Sequence, residues 1–364
     1  MNLFSFVDKY GDYTFDEVSF TEVDNIILSM LSYLDFSDIV SSNKFKKRKL
    51  KDVSKDFFND KDKCEKRFFT LKNAIKVFKN IKDTRRYGDL LLYNFVYKCS
   101  GESQFGALCI EINKNLIYVS FEGTDHLIGG WREDFMLSYM FPVLSQRRAI
   151  SYVNKNFIFG NKKIILGGHS KGGNLALVAG MKSNYFIKRK IVNIYNIDGP
   201  GLLSREFESK SYKQIEDKLI KIVPSYSIVG LAMCHKSEIE VVRSFKKNFY
   251  AHDPLTWVVN DKSFERADLN SFCVGLDKKV DEWLKKYTYF EREMLVNALF
   301  DIFDTLEIDN LMDLVDNKKL IFKIISETKD FDDKTVSMIK DFFKVILKTI
   351  SDVTKEEIKS IFVK

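Results

Sequence analysis

Residues 164–174 read Ile-Ile-Leu-Gly-Gly-His-Ser-Lys-Gly-Gly-Asn, an apolar run that leads through a Gly-x-Ser-x-Gly core into small residues. The apolar run predicts a buried strand, and the Leu-Ala-Leu-Val-Ala-Gly segment that follows predicts a helix. Gly168 and Gly172 lack the Cβ atoms that would collide in a sharp turn between the two. The stretch therefore predicts a strand, a tight turn with Ser170 at its tip, and a helix.

A serine on such a turn is the nucleophile elbow of the α/β-hydrolase fold. The turn holds the Ser170 hydroxyl clear of the backbone, beside the positive end of the following helix. A bare Gly-x-Ser-x-Gly sequence occurs often by chance, and the alternative interpretation is a structural glycine-rich turn. The strand and helix patterns on either side favour a functional serine.

Further apolar runs alternate with helical patterns along the chain. Strands are predicted over residues 90–98, 105–112, 115–121, 190–197, 219–223 and 239–245, and helices over 21–34, 68–78 and 146–157. Strands that alternate with helices are typical of a mainly parallel sheet that is covered on both faces. The fold class expected is therefore α/β, with an α/β-hydrolase sheet.

Two regions of the chain differ from this pattern. Residues 41–63 are polar and are predicted to form a loop or insertion. Residues 291–306 and 331–350 have apolar side chains at helical spacing, and Thr354 begins a capping-box pattern for a last short helix. We expect a hydrolase domain over residues 1–265 and a helical C-terminal region over 266–364.

Composition indicates a soluble, cytoplasmic protein. The chain has 364 residues, a formal net charge of +7 and five scattered cysteines, which are typical of reduced thiols rather than of a disulfide framework or a zinc site. The N-terminus does not read as a signal peptide, and no apolar run is long enough to span a membrane. No cofactor and no nucleic-acid partner is expected. Residues 46–49, Lys-Lys-Arg-Lys, form the one dense basic block. A solvated loop is the favoured interpretation, and the alternatives are a contact for an anionic lipid headgroup or for a nucleic-acid phosphate.

A serine needs a base to accept its proton, and the chain has four histidines. His169 adjoins the serine and points the wrong way, and His126 precedes it, whereas this fold orders its triad as serine, acid, histidine. His252 follows the last predicted core strand, where the fold delivers its base, and His235 precedes that strand. His252 is the favoured base, with His235 as the alternative.

The acid that orients the base is predicted to be Asp198. It ends the strand over residues 190–197, and sites of open α/β sheets lie at the carboxyl ends of the strands. The alternative for Asp198 is an Asx-type turn before Gly199. Asp253 adjoins His252 but is poorly placed to reach back to the ring of its neighbour.

Two backbone amides are expected to form an oxyanion hole. One belongs to Lys171, directly after the nucleophile. The other is expected from the loop Phe-Glu-Gly-Thr-Asp over residues 121–125, in which Gly123 permits a close approach and Thr124 or Asp125 offers an amide. The charged side chain of Lys171 is also expected to suit a polar or acidic substrate as well as a lipid.

Several of these segments resemble known families. Residues 121–125, the Trp-Arg-Glu-Asp of residues 131–134 and the elbow are similar to motifs of class 3 lipases. More closely, the chain up to Trp257 resembles the bacterial Mbeg-like proteins, which have the α/β-hydrolase fold and no assigned substrate. The segments that carry this second resemblance are residues 31–36, the elbow, 195–201, 227–230 and 252–254.

The resemblance implies the fold and the serine but no substrate. Class 3 lipases place their acid one strand later, where this chain has Ser227, whereas Asp198 is similar to the acid position of pancreatic-type lipases. The leading interpretation is a serine hydrolase that acts on a small acyl ester, thioester or lipid through Ser170, His252 and Asp198. The alternatives are a non-catalytic binding or scaffold protein on a hydrolase fold and a lipase that works at a membrane surface.

Overall fold

The architecture is taken from a computed structural model, which describes residues 1–64, 69–125, 128–235, 238–308 and 318–347. Its centre is an eight-stranded sheet in which the strands lie side by side in chain order. The strands are β1 (Arg48–Lys49), β2 (Leu91–Ser100), β3 (Ser103–Asn113), β4 (Leu116–Phe121), β5 (Lys163–His169), β6 (Ile191–Ile197), β7 (Leu219–Pro224) and β8 (Ile239–Val242), and a separate hairpin contains β9 (Val259–Asn260) and β10 (Ser263–Phe264).

Strands β4 to β8 run parallel, and β1 to β4 pair antiparallel. The sheet is thus mainly parallel, as predicted, with the predicted hairpin formed by β3 and β4. Phe121 of β4 pairs with Gly168 of β5, and His169 pairs with Ile197 of β6. The register therefore brings the carboxyl ends of β4, β5 and β6 to one edge of the sheet.

Helices cover both faces of the sheet. They are α1 (Leu3–Tyr10), α2 (Glu22–Met30), α3 (Leu50–Asn59), α4 (Phe69–Ile81), α5 (Ile128–Met136), α6 (Leu144–Phe157), α7 (Lys171–Lys182), α8 (Tyr185–Lys188), α9 (Ser204–Phe207), α10 (Lys210–Lys213), α11 (Ser271–Lys286), α12 (Tyr289–Thr305), α13 (Lys318–Ser326) and α14 (Asp333–Leu347). Side chains of β5 alternate between two cores, because Ile165 packs with α2 and α4 whereas Ile164 and Leu166 pack with α6 and α7. This arrangement is an α/β-hydrolase fold.

Helix α2 begins at the predicted capping box. The Thr21 hydroxyl accepts a hydrogen bond from the Asp24 amide, and the Asp24 carboxylate accepts one from the Thr21 amide. The same carboxylate is fully buried and accepts hydrogen bonds of 2.7 Å from Arg86 Nε, Arg86 Nη2 and the Tyr87 hydroxyl. The guanidinium also donates to carbonyl groups of the chain over residues 13–19. One buried ion pair therefore joins α2 to the segment that leads into β2.

The structure corrects two elements expected from sequence. Residues 50–59, within the segment expected to be a loop, form helix α3. Leu50, Val53 and Phe57 are buried in the core at helical spacing, so tertiary packing stabilises a helix whose mean composition is polar. Strand β8 is also shorter than expected and ends at Val242. The predicted capping box at Thr354 lies outside the described residues.

The helices after residue 270 have a core of their own, which packs against α5. The Phe135 ring of α5 lies 5.7 Å from the ring of Phe300 and 5.5 Å from that of Phe342, measured between centroids. Arg132 of α5 donates to the Asn297 side chain at 3.3 Å. The C-terminal helices therefore hold α5, which follows the loop after β4. Within the described residues, no helix combines the length and apolar character needed to cross the membrane.

Arg86→Met should lower the free energy of unfolding by about 3–5 kcal/mol, because it leaves the Asp24 carboxylate buried without its cation. Urea unfolding followed by circular dichroism measures the change. Lys55→Met, which removes an exposed pair with Asp52, is the control and should cost less than about 1 kcal/mol. Equal small losses in both variants would contradict the role assigned to the buried pair.

Candidate active site

The turn between β5 and α7 has the geometry of a nucleophile elbow. Ser170 has φ 58° and ψ −134°, in a region that residues other than glycine rarely adopt. Its amide donates to Ile197 O at 2.9 Å, which ties the turn to the end of β6. A Cβ on Gly172 would lie 2.2 Å from Phe121 O, and one on Gly168 would lie 2.7 Å from the same atom. The two glycines are therefore required by the close approach of β4 to the turn.

The predicted acid and base lie in direct contact. His252 Nδ1 and Asp198 Oδ2 are 2.7 Å apart, although 54 residues separate them in the chain. Asp198 follows β6 with φ 45°, and its amide donates to Ile222 O at 2.8 Å. Its carboxylate is buried, while the His252 ring is partly exposed. The strained turn after β6 thus aims a buried carboxylate at the imidazole.

Two further donors hold the Asp198 carboxylate. Ser227 Oγ donates to Asp198 Oδ1 at 2.5 Å, and the Gly230 amide donates to the same oxygen at 3.1 Å. Ser227 occupies the place at which the sequence comparison with class 3 lipases led us to look for a carboxylate. The residue there supplies a hydroxyl to the acid of the preceding strand. Sequence reasoning missed this role because nothing in the local pattern points across 29 residues.

His169 positions the loop that carries His252. Burial holds the pKa of the His169 imidazole well below its usual range, with the neighbouring His252 adding to the effect. The neutral ring fits a tautomer in which Nε2 donates to His252 O at 2.8 Å and Nδ1 accepts from the Tyr33 hydroxyl at 3.1 Å. The His169 and His252 rings pack with centroids 4.5 Å apart. His169 thus holds the loop that carries His252 next to the elbow.

The other two histidines have different environments. His235 is partly buried, and burial lowers the pKa of its imidazole, with the nearby Lys221 ammonium acting in the same direction. His235 makes no hydrogen bond to Asp198, whose donors are those given above. His126 lies outside the described residues. Over the described ranges, neither Ser170 Oγ nor His252 Nε2 has a hydrogen-bond partner, so these two atoms are not hydrogen-bonded to each other.

The loop after β4 packs on the elbow. A Cβ on Gly123 would lie 2.0 Å from the Tyr33 hydroxyl and 2.6 Å from His169 O. The Gly123 amide faces that tyrosine hydroxyl. In the part of the chain that the structure describes, the amides of Thr124 and Lys171 have no hydrogen-bond acceptor. These two amides are therefore candidate donors for an oxyanion.

The side chain of Lys171 does not face the open site, which corrects the expectation that its charge would suit a polar substrate. The residue is buried, and its ammonium lies 3.3 Å from Glu133 Oε2 and 3.8 Å from Asp134 Oδ1. Glu133 also accepts from the Ser145 amide at 2.6 Å, and Asp134 accepts from the Thr124 hydroxyl at 2.5 Å. The charge therefore ties α7 to α5 and to the Thr124 loop.

A second buried lysine lies behind the acid. Lys221 of β7 is buried, and its ammonium donates to Gly199 O at 3.3 Å, one residue after Asp198. Burial lowers the pKa of this ammonium to about 8, against the opposing influence of the Asp198 and Asp277 carboxylates. The burial of Lys221 was missed from sequence. The signal that could have indicated it is the position of a lysine inside the apolar run Leu-Ile-Lys-Ile-Val.

The fold and the strained turn define a protein of the α/β-hydrolase class. The family model described as Mbeg1-like matches residues 81–301, which is more than half of the chain. The chain therefore belongs to the Mbeg1-like family.

Comparisons with solved structures and with curated proteins identify no substrate. Among solved structures, the chain is similar to M37 lipase with 14% sequence identity and a TM-score of 0.34, over 57% of this chain and 67% of that one. A comparison with curated proteins finds no significant match.

Gly123→Ala should displace the Thr124 loop, because the added Cβ would overlap the Tyr33 hydroxyl and His169 O. We expect the rate at which a fluorophosphonate labels Ser170 to fall at least about tenfold, since one oxyanion donor is worth about 10²–10³ in rate. Gly101→Ala is the control, because an added Cβ there meets nothing within 4 Å. Equal labelling rates in the two variants would show that the loop does not serve Ser170.

Lys221→Met should change how stability depends on pH. The unfolded chain keeps the lysine proton up to its ordinary pKa of 10.5, whereas the folded chain loses it near pH 8. The unfolded state thus binds more protons between these values, and the wild type gains stability as pH rises through that window. Its free energy of unfolding, relative to that of Lys221→Met, should increase by up to about 3 kcal/mol.

Urea unfolding at pH 7.5 and pH 10.5 measures the effect of Lys221→Met. Lys55→Met serves as the exposed control, for which the difference from wild type should not change with pH. A constant difference for Lys221→Met as well would contradict the buried, desolvated state of the ammonium.

Proposed function

We propose that this protein is a serine hydrolase that cleaves a carboxylic ester or thioester through an acyl-enzyme intermediate. The observation that carries the proposal is the 2.7 Å contact between His252 Nδ1 and Asp198 Oδ2 beside a serine held on a strained elbow. A serine, a histidine and a carboxylate in this chain order are the triad of the α/β-hydrolase fold. Family membership supports the fold and is silent on the substrate.

In the first half of the reaction, Ser170 Oγ attacks the acyl carbonyl carbon while His252 Nε2 takes the hydroxyl proton. Asp198 keeps the ring in the tautomer with hydrogen on Nδ1 and stabilises the imidazolium that forms. The carbonyl oxygen becomes an oxyanion, and the amides of Thr124 and Lys171 donate to it. His252 then gives the proton to the leaving alcohol or thiol, which departs and leaves the acyl group on Ser170.

In the second half, water attacks the acyl-enzyme and His252 accepts one of its protons. The tetrahedral intermediate collapses, the carboxylic acid leaves and the proton returns to Ser170 Oγ. Gly123 serves this scheme through its lack of a Cβ, while its amide is engaged with Tyr33. The scheme needs no cofactor, because the protein groups supply the nucleophile, the proton carrier and the oxyanion donors.

The surroundings of the site suggest how it is supported. The Lys171–Glu133 pair and the Asp134–Thr124 hydrogen bond link the oxyanion loop to α5, on which the C-terminal helices pack. We assign the hydrolase domain to residues 1–265 and a supporting role to the helical region over 266–364. The free cysteines fit a cytoplasmic location.

Kinetics with short p-nitrophenyl esters and thioesters test the proposal. Ser170→Ala should abolish turnover and labelling by a fluorophosphonate, and Asp198→Asn should lower kcat by about 10⁴-fold because the wrong tautomer is favoured. His252→Gln should have an effect similar to that of Ser170→Ala, since the two residues act as a unit.

Matched controls separate the chemistry from general disruption. Asp253→Asn changes the partly buried carboxylate beside His252, and His235→Gln changes the alternative base. Each should keep at least about a tenth of the wild-type rate, well short of the loss at a triad position. If His235→Gln abolishes turnover and His252→Gln does not, the assignment of the base is wrong. A folded wild-type protein that neither labels nor hydrolyses any ester would favour a binding or scaffold protein.

A further inference from the structure

A basic cleft opens beside the outer edge of the sheet, away from the triad. It has a volume of about 820 Å³ and lies between residues 37–42, residues 46–48 and residues 95–98 of β2. Four cationic side chains line it against one carboxylate, that of Asp38. The four are Lys46, Lys47, Arg48 and Lys98.

Two of these cations are not neutralised. Lys47 pairs with Glu111, which Lys162 shares, and Arg48 pairs with Asp56. Lys46 and Lys98 form no ion pair with any residue that the structure describes. Ser37, Ser41 and Ser42 add hydroxyl groups to the lining. Unpaired ammonium groups and hydroxyls in a concave site are suited to a phosphate group.

The sheet edge inside the cleft is also open. Strand β1 pairs only with Leu91 and Leu92 of β2, so residues 95–98 have no strand on their outer side over the described ranges. Alternate backbone amides of an edge strand point outward and are free to donate. The cleft therefore offers backbone donors in addition to its side chains.

An exposed aromatic side chain stands beside the cleft. Phe45 is 82% exposed, and the Lys44 ammonium lies 5.4 Å from the centre of its ring. We call residues 44–49, Lys-Phe-Lys-Lys-Arg-Lys, the basic loop. A large apolar side chain among cations matches the boundary of an anionic bilayer, where the ring enters the acyl region and the cations meet phosphates.

The strand pairing places the cleft at the same level along the strands as the elbow. Val96 pairs with Ala107, Ala107 pairs with Phe121, and Phe121 pairs with Gly168. Three strand spacings therefore separate the cleft from the turn that carries Ser170, or about 14 Å. A surface docked at the cleft would lie along the sheet edge at which Ser170 is found.

We propose that the basic loop and the adjoining cleft dock this protein on an anionic phospholipid surface, with a lipid phosphate in the cleft and Phe45 inserted among the acyl chains. The docking does not depend on the chemistry proposed for Ser170. Lys46 and Lys98 contact the phosphate, and the hydroxyl groups and free amides of the cleft complete its hydrogen bonds. Because the attraction is between charges at a surface, it weakens as ionic strength rises.

Co-sedimentation with vesicles tests the docking. At low salt the wild type should pellet with phosphatidylglycerol vesicles and not with phosphatidylcholine vesicles. Lys46→Ala/Lys98→Ala should bind about 30-fold more weakly, as expected for two basic residues at an anionic surface. Phe45→Ser should also bind more weakly, because it removes the inserted ring.

Lys278→Ala/Lys279→Ala is the matched control. Both lysines are exposed on α11 and form no ion pair with a described residue. Their substitution removes the same charge as the Lys46/Lys98 pair, from another part of the molecule. Binding by this variant should equal that of the wild type, and thermal unfolding by circular dichroism checks that every variant is folded. Neither measurement requires enzymatic activity, so failure of the docking is distinguishable from failure of the hydrolase proposal.

Three results would overturn the docking. The first is no binding of the wild type to phosphatidylglycerol at low salt, and the second is equal weakening by the two lysine pairs. The third is tighter binding of inorganic phosphate or of a short DNA duplex than of phosphatidylglycerol vesicles at the same salt, each measured separately, which would identify a soluble phosphate or a nucleic acid as the occupant.

Discussion

The close approach of the β4 end to the turn after β5 is the constraint on which the site depends. Phe121 O lies where a Cβ on Gly168 or Gly172 would have to go, so only glycine is compatible with the packing. The loop that follows β4 also packs on the elbow, because a Cβ on Gly123 would lie 2.6 Å from His169 O. The backbone of Ser170 is strained by this geometry, as its positive φ shows, and the hydrogen bond from its amide to Ile197 O stabilises the turn.

Buried charges behind the site reinforce this geometry. Lys171 points away from the open side and pairs with Glu133, and α5 in turn is held by the C-terminal helices. Lys221 lies under the turn that follows Asp198. A buried ammonium is costly unless carboxylates or carbonyls compensate it, so these lysines fix the loops that face them. The edge of the sheet that carries the candidate site is thus supported by buried polar contacts.

Much of the fold is predictable from local patterns. Three predicted features each depend on residues close together in the chain: the strand, turn and helix around Ser170, the hairpin of β3 and β4, and the capping box at Thr21. The structure contains all three. Helix α3 was missed because its three buried apolar residues are scattered among lysines and aspartates.

The site is predictable only in outline. The ends of parallel strands identify Asp198, and chain order selects His252, and the structure brings these two side chains together. Three other features depend on contacts between residues at least 22 positions apart. They are the hydrogen bond from the Ser227 hydroxyl to Asp198, the inward orientation of the Lys171 side chain and the burial of Lys221. Such contacts follow from packing and leave no local pattern. The catalytic roles themselves stay predictions.

The most direct measurement is a crystal structure of the protein after reaction with an alkyl phosphonate ester. The account predicts phosphorus bonded to Ser170 Oγ, with His252 Nε2 within hydrogen-bond distance of an oxygen of the adduct. It also predicts the phosphoryl oxygen within about 3.1 Å of the amides of Thr124 and Lys171. An unmodified Ser170, or an adduct whose phosphoryl oxygen faces away from both amides, would contradict it.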